Sequence, residues 1–432
     1  MERKIMSSLL KWKASPDKKP LLIQGARQVG KTYTALTFGK RHYKNTVYFN
    51  MESSSEITAI FERDLNPERI IKELEAQSGQ SILTEDTLII FDEIQACERA
   101  LTSLKYFEES KTGYHVVAAG SLLGVALKRE KSSFPVGKVE MLHMHPMDFE
   151  EFLQAIEQEK LCGLIREAYD GFTPLALHGA AMDFYKTYLV VGGMPAAVRE
   201  YINKRDFDFV NAELKTLNDS YIADMAKYTT PREMTRIMAA WASIPAHLSK
   251  ENHKFQYKVI KSGARSGDYE SAIEWLVSAG IIHKCVHVTQ GKMPLSVYAE
   301  NEAFKVYMVD TGLLCSKFDI AANVVIHTPH SFDGFKGALT ENYIHQALAV
   351  NGITPYYWSS PGKAEVDFVF QDRQGNILPL EAKSAENVRS KSLRNYADTY
   401  KPVFTYRVSG RNFGFENGIK SVPLYAVFCI KP

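Results

Sequence analysis

Residues 24–33 read Gln-Gly-Ala-Arg-Gln-Val-Gly-Lys-Thr-Tyr, between an apolar run at 20–23 and a predicted helix at 31–38. The GxxxxGK(S/T) spacing in a strand–loop–helix context predicts a loop whose backbone N–H groups surround phosphate oxygens. The N-terminus of the following helix adds its positive dipole. We expect the loop to bind ATP, with Lys31 neutralising the β- and γ-phosphates and the Thr32 hydroxyl binding Mg²⁺. The residues expected to contact the nucleotide are Gly25, Ala26, Arg27, Gln28, Val29, Gly30, Lys31, Thr32 and Tyr33.

A second apolar segment, residues 87–91, ends in Asp92-Glu93. A carboxylate at the carboxyl end of a buried strand lies beside the phosphate-binding loop in this class of sheet. We therefore expect Asp92 to hold Mg²⁺ through water and Glu93 to orient or deprotonate the attacking water. The alternative is a pair of acids at the start of a helix.

A third strand, residues 115–119, leads into Gly120-Ser121. Ser121 is a candidate sensor of the γ-phosphate, and a helix N-cap serine is the alternative. Two further strands, 45–50 and 138–145, complete a predicted five-stranded parallel sheet with crossover helices.

The bulk composition is that of a globular protein of several domains: 432 residues, 45% hydrophobic and 24% charged, with a net charge of +2. This charge neither requires nor excludes a nucleic-acid partner. The N-terminus lacks the pattern of a signal peptide, and no apolar run approaches the roughly 18 residues of a membrane span. Five scattered cysteines form no CxxC pair. We expect a reduced, cytoplasmic protein without a membrane segment.

The C-terminal quarter contains a second group of acids. Glu341 lies on a predicted helix at 339–350, Asp367 on a strand at 364–370, and Glu381 on a strand at 377–382 with Lys383 at its end. Side chains of a strand repeat every two residues, so Glu381 and Lys383 share one face. The set resembles the D…(D/E)xK core of restriction-endonuclease-like folds.

Such a core predicts that Asp367 and Glu381 hold a second Mg²⁺ or Mn²⁺ directly, that Glu341 assists as a metal residue through water, and that Lys383 orients the attacking hydroxide. Arg389, Lys391 and Arg394 follow as cations suited to a phosphate backbone. The alternative is a hairpin with ordinary surface charges.

The middle of the chain predicts helices. Residues 151–230 are amphipathic and are interpreted as a helical lid. Residues 231–320 predict three helices, the first from Pro231 to about Pro245, and then a β-hairpin, the pattern of a winged helix. The third helix carries Glu270 and Glu274, which disfavour DNA contact, so a protein–protein spacer is an equal alternative.

Several segments resemble a bacterial and archaeal family of AAA-type ATPases with a C-terminal domain of unknown function. In sequence order they are GARQVGKT (25–32), DEIQ (92–95), AAGSLLG (118–124), PVGKVEMLHMHPMDFEEFL (135–153), YLVVGGMP (188–195), FKVYMVDTGLL (304–314) and FKGALTENY (335–343). In many such relatives the position of Lys138 looks like an arginine, whose planar fork lysine lacks. Arg129 and Lys138 both remain candidates for a finger that acts on a neighbouring copy's γ-phosphate in a homo-oligomer.

Together these patterns predict an α/β protein in four parts: a P-loop domain (1–150), the lid (151–230), the winged helix (231–320) and a nuclease-like domain (325–432). One expected function is ATP hydrolysis coupled to binding or cleavage of DNA or RNA. The other is a nucleotide-dependent switch whose C-terminal domains bind DNA or a protein partner without cutting.

Overall fold

A computed structural model describes residues 1–121, 135, 137–250, 254–327, 333–360, 364–383 and 391–432. The chain forms two compact units. The N-terminal unit comprises residues 2–145 with 278–280, and the C-terminal unit comprises residues 146–277 and 281–432. None of the described helices combines the length and hydrophobicity needed to cross a bilayer.

The N-terminal unit is built on a five-stranded sheet with strand order β2-β3-β4-β1-β5. Each neighbouring pair is parallel, which confirms the predicted parallel core. The strands are β1 (Leu21–Gln24), β2 (Asn45–Asn50), β3 (Thr87–Asp92), β4 (His115–Gly120) and β5 (Glu140–His143). The helices are α1 (Ile5–Ala14), α2 (Lys31–His42), α3 (Ser55–Arg63), α4 (Pro67–Ser78) and α5 (Glu98–Glu109).

Apolar residue choice explains the central strands. Every residue of β3 and β4 is buried, as continuous apolar runs in a parallel sheet require. Ile89 and Phe91 of β3 pack in one cluster with Ile70 and Leu74 of α4. The sheet therefore holds the carboxyl ends of β1, β3 and β4 at one rigid edge.

A glycine is needed where β1 meets the segment after β5. Gly25 has φ +154°, and a Cβ there would lie 2.1 Å from the backbone oxygen of Met144. The backbone N–H of Met144 donates to Gln24 O at 2.7 Å, so the two segments are in direct contact. A side chain at residue 25 would force them apart.

The C-terminal unit begins with helices. A capping box formed by Asp148 and Glu151 starts the first of them, and a break at Gly192-Gly193 separates two others, as the sequence predicts. The helices are α6 (Phe149–Ala155), α7 (Glu159–Gly171), α8 (His178–Val191), α9 (Pro195–Lys204), α10 (Phe207–Lys227), α11 (Pro231–Leu248), α12 (Tyr257–Ile260) and α13 (Ser266–Ser278).

Helix α11 continues beyond the predicted end at Pro245 and stops at Leu248. A proline inside a helix removes one backbone hydrogen bond. Here Ile244 and Leu248 on either side of it are buried, so tertiary packing outweighs that loss.

The second part of the C-terminal unit is an eight-stranded mixed sheet, ordered β12-β13-β11-β10-β9-β8-β6-β7. Its strands are β6 (Ile282–Val288), β7 (Ala299–Met308), β8 (Tyr356–Ser359), β9 (Glu365–Gln371), β10 (Ile377–Ala382), β11 (Thr405–Ser409), β12 (Gly414–Glu416) and β13 (Ile419–Pro423). The helices of this part are α14 (Thr311–Lys317), α15 (Ala322–His327), α16 (Asp333–Val350) and α17 (Lys391–Tyr400).

The β6–β7 hairpin has a different role from the wing that the sequence predicts. The three preceding helices are present, but β6 also pairs in parallel with β8, from Val286↔Tyr356 to Val288↔Trp358. The hairpin is thus part of the C-terminal sheet, because the edge of β6 that faces away from β7 forms its hydrogen bonds with β8. Sequence patterns do not reveal this pairing, since the two strands lie far apart along the chain.

Candidate functional sites

The phosphate-binding loop surrounds a buried lysine. Lys31 is 7% exposed, and its Nζ donates to the backbone oxygens of Gly25 at 3.0 Å and Ala26 at 2.7 Å. Burial lowers the pKa of Lys31 to about 8, while the nearby carboxylates of Glu93 and Asp92 oppose this shift. The loop therefore holds a cation whose charge is incompletely balanced.

Other loop residues have structural roles. Gly30 adopts a left-handed conformation (φ 97°) at the start of α2, and Gln28 has φ 62°. The Val29 oxygen accepts a hydrogen bond from Arg3 at 2.7 Å. Tyr33 is 61% exposed.

Asp92 is the hub of the proposed magnesium site. It is buried, and its Oδ2 accepts hydrogen bonds from Thr32 Oγ1 and from the Tyr48 hydroxyl, each at 2.8 Å. The hydroxyl and carboxylate of Thr32 and Asp92 are the oxygen donors that Mg²⁺ prefers. The structure thus brings together the two residues expected to hold this ion.

Tyr48 is a site residue that the sequence interpretation missed. It lies two residues before Asn50 on β2, so both side chains share a face. That periodicity was the available signal. Asn50 itself accepts hydrogen bonds from the backbone N–H groups of Glu52 and Ser53 and shapes the turn after the strand.

Glu93, the candidate base, follows Asp92 in a left-handed backbone conformation (φ 48°). Its Oε2 accepts hydrogen bonds from Gln95 Nε2 and, at 3.5 Å, from Ser121 Oγ. Ser121 at the end of β4 therefore lies next to the candidate base. Gln95 was not predicted as a site residue, although it belongs to the DEIQ stretch.

Of the two finger candidates, Lys138 lies among the described residues. Lys138 is partly exposed, and its Nζ lies 3.4 Å from Glu109 Oε1 at the end of α5. Arg129 lies outside the described residues.

The C-terminal carboxylates Asp367 and Glu381 lie on neighbouring antiparallel strands. The last registered pair of β9 and β10 is Leu380↔Phe368, so the next position places Glu381 opposite Asp367. The backbone N–H of Ala382 donates to Asp367 Oδ2 at 2.8 Å. These two predicted acids are therefore neighbours.

Glu381 has one engaged oxygen and one that lacks a partner. Its Oε1 lies 2.8 Å from Lys383 Nζ. Its Oε2 is buried without a hydrogen-bond partner among the described residues. An unpaired carboxylate oxygen in a buried position is costly unless a cation or donor reaches it.

Glu341 has internal partners. Its Oε2 accepts a hydrogen bond from Tyr307 at 2.9 Å and lies 3.5 Å from Lys305 Nζ. Lys305 Nζ also lies 2.8 Å from Glu365 Oε1. Lys305 and Tyr307 come from β7 and were not predicted as site residues. The signal was a lysine in the otherwise apolar run from Phe304 to Val309.

Charges in this cluster shift each other's protonation. Burial and the neighbouring Glu341 raise the pKa of Asp367 to about 7, against the opposing effect of Lys305. Burial lowers the pKa of Lys305, but Glu341, Glu365 and Asp367 together raise it above its ordinary value. The lysine therefore stays charged, whereas Lys305 and Lys383 only partly offset the effect of burial on the pKa of Asp367.

Asp367 and Glu381 lie side by side and Glu341 is near enough to raise the pKa of Asp367, but among the described residues the three acids form no shared metal group. Across the parts of the chain with described coordinates, no three His, Cys, Asp or Glu side chains form a group that could hold a metal ion. The unpaired Glu381 Oε2, opposite Asp367, fits one cation at that pair. Glu341 is directed to Lys305 and Tyr307 instead. Arg389 lies outside the described residues.

Comparisons with known proteins agree with the N-terminal geometry. Residues 17–153 match the AAA domain family, and with the loop, the parallel sheet and the Asp92 hub they form an AAA-type P-loop ATPase domain. Residues 182–323 match a domain of unknown function, DUF8612. Residues 336–427 match another domain of unknown function, DUF4143. No curated protein matches the chain.

Solved structures resemble the chain at low identity. A Walker-type ATPase of Pyrococcus abyssi is 14% identical with a TM-score of 0.46, covering 73% of this chain and 95% of that one. The ORC1 protein of Aeropyrum pernix, solved with DNA, is 13% identical with a TM-score of 0.31, covering 73% and 91%. The ORC2 protein of the same organism is 14% identical with a TM-score of 0.32, covering 74% and 91%. These values assign no activity to the chain.

Proposed function

We propose that the N-terminal unit binds and hydrolyses ATP. The observation that carries this proposal is the contact of Thr32 Oγ1 with Asp92 Oδ2 at the carboxyl ends of the strands. Mg²⁺ bound there would neutralise phosphate charge. Lys31 contacts the β- and γ-phosphates, Glu93 takes the proton of the attacking water, and Ser121 contacts the γ-phosphate.

Two variants separate binding from turnover. Lys31→Ala removes the buried cation, and we expect ATP binding to fall by at least about 100-fold, equivalent to roughly 2.7 kcal/mol. Glu93→Gln keeps binding but removes the base, and we expect phosphate release to fall by about 100-fold or more. Binding is measured with a fluorescent ATP analogue and turnover by phosphate release.

Glu98→Gln is the matched control, because Glu98 lies on the same segment with an exposed side chain. Its activity should equal that of the wild type. Wild-type turnover in Glu93→Gln would show that another group activates the water.

We infer a second activity, metal-dependent phosphodiester cleavage, in the C-terminal unit. It is supported by the unpaired, buried Glu381 Oε2 opposite Asp367. A divalent cation at this pair would supply Lewis acidity and lower the pKa of a bound water. Asp367 and Glu381 would hold the ion, and Lys383 would orient the attacking water. The substrate is DNA or RNA.

Cleavage is tested on supercoiled plasmid and on single-stranded RNA with Mg²⁺ or Mn²⁺, with and without ATP. Asp367→Asn retains the shape of the side chain and its contact with Ala382, and we expect it to abolish cleavage while ATP hydrolysis continues. Glu416→Gln changes an exposed acid on β12 and should cut normally.

The second candidate function is a nucleotide-dependent switch whose C-terminal unit binds DNA or a protein partner without cutting. The internal partners of Glu341 favour it, since one predicted metal ligand is already engaged. Uncut plasmid and RNA under every metal condition, with ATP hydrolysis intact, would select this function.

A further inference from the structure

Lys305 is a buried cation within the acidic cluster of the C-terminal unit. It is 1% exposed and lies on β7 between the buried Phe304 and Val306. Its Nζ is 2.8 Å from Glu365 and 3.5 Å from Glu341. A lysine is almost never buried to this extent unless it is paired. The two acids are therefore a built site for a fixed positive charge.

The acids of the cluster divide into two pairs. Glu341 and Glu365 share Lys305, and Glu341 is also held by Tyr307. Asp367 and Glu381 form the other pair, in which one buried oxygen of Glu381 has no donor within the described residues. In the first pair one lysine contacts both acids, whereas in the second pair Lys383 contacts Glu381 Oε1 and Oε2 remains available to a cation.

We propose that Lys305 takes the place that a second metal ion occupies in two-metal phosphodiester sites. This inference rests on the proposed metal role of Asp367 and Glu381. In two-metal sites the two ions lie roughly 3.5–4 Å apart. A fixed ammonium at Glu341 and Glu365 repels a second cation there. The C-terminal unit thus binds one divalent ion, and Glu341 serves as a positioning residue for Lys305.

The count of bound ions tests the proposal without any activity assay. Mn²⁺ is titrated into the full chain without nucleotide, and free Mn²⁺ is followed by electron paramagnetic resonance. Every protein carries Asp92→Asn, which removes the metal-binding carboxylate of the N-terminal unit from the count. We expect one Mn²⁺ per chain, and none after the further change Asp367→Asn.

Removing the lysine should admit a second ion. Lys305→Met leaves Glu341 and Glu365 without their shared cation, and we expect two Mn²⁺ per chain. Lys254→Met is the matched control, because Lys254 Nζ lies 3.7 Å from Glu365 Oε2 but its side chain is 38% exposed. This control should still bind one ion. A single ion in Lys305→Met, with the fold intact by circular dichroism, would overturn the proposal.

Glu341→Gln decides the matter if Lys305→Met does not fold. Its amide oxygen can still accept the Tyr307 hydrogen bond, so we expect the fold to be retained. One Mn²⁺ with affinity within threefold of the parent supports the proposal. A tenfold or greater loss of affinity would make Glu341 a metal ligand and overturn it. No Mn²⁺ on the parent would overturn both this inference and the proposed metal site. One ion on the parent, together with a folded Lys305→Met that binds no second ion or a Glu341→Gln that loses affinity, would overturn this inference alone.

Discussion

The two units each bury a lysine beside carboxylates, but the two lysines are in opposite electrostatic situations. Lys31 donates only to backbone oxygens, and burial lowers its pKa to about 8. Lys305 contacts two carboxylates directly, and its pKa is raised. The carboxylates near the first lysine only partly offset the effect of burial, so this lysine suits an incoming anion. The second already has its counter-charges and suits a permanent structural pair.

The largest expected difference is in stability. Breaking a buried ion pair by removing one partner costs about 3–5 kcal/mol, because the remaining charge is unpaired. We expect this loss in Lys305→Met. Lys31→Met removes a cation that is already disfavoured by burial, so its effect without nucleotide should stay within about 1 kcal/mol.

Urea unfolding in the absence of nucleotide measures both variants. Lys305→Arg is the control that retains the charge. Equal stability losses in Lys31→Met and Lys305→Met would remove the distinction between a ligand-binding lysine and a structural one.

Two tyrosines differ between the units as the two lysines do, with smaller expected effects on stability. Tyr307 donates to the buried Glu341, and Tyr48 donates to Asp92 from a partly exposed position. Hydrogen bonds to charged groups contribute about 1.5–3 kcal/mol when buried. Tyr307→Phe should therefore reduce the free energy of unfolding by about that amount, and Tyr48→Phe by less than about 1 kcal/mol.

For Mg²⁺-dependent ATP hydrolysis we expect the reverse order, with the larger effect in Tyr48→Phe. Tyr48→Phe should lower it severalfold, because Asp92 loses a donor that orients it, whereas Tyr307→Phe should not change it. Unchanged hydrolysis in Tyr48→Phe would show that the Tyr48 hydroxyl is not needed to orient Asp92.

A further expected effect is the pH dependence of ATP binding. In the free protein Lys31 has a pKa of about 8, and bound phosphates would raise it. Affinity is therefore full below pH 8 and declines as the pH rises above it, by roughly tenfold between pH 7 and pH 9. Fluorescence titration at several pH values measures it. Lys31→Arg, whose guanidinium stays charged, should show no such decline, and a flat wild-type profile would contradict the lowered pKa.

The sequence predicted the N-terminal site because its signals are local. Gly25, Lys31 and Thr32 belong to one short loop, and Asp92 and Ser121 each follow an apolar strand. The contacts Thr32–Asp92 and Ser121–Glu93 follow from the parallel order of these strands.

The C-terminal site was predicted only in part, because its residues meet through pairing between distant segments. Asp367 and Glu381 belong to one hairpin, and their proximity follows from its length. Lys305 and Tyr307 reach the same cluster only because β6 pairs with β8. Nothing local in the sequence indicates that pairing, so Glu341 was assigned to a metal rather than to a lysine.

The insertion of the β6–β7 hairpin into the C-terminal sheet also determines the order of assembly. During synthesis the hairpin leaves the ribosome before β8 has been made, so the edge of β6 that pairs with β8 is at first unpaired. A chain that ends near residue 320 would keep that edge open, and open strand edges pair with other copies and aggregate. A piece beginning at residue 325 would instead lack Lys305 and Tyr307, which both contact Glu341. A fragment that carries the complete C-terminal cluster must therefore start before β6.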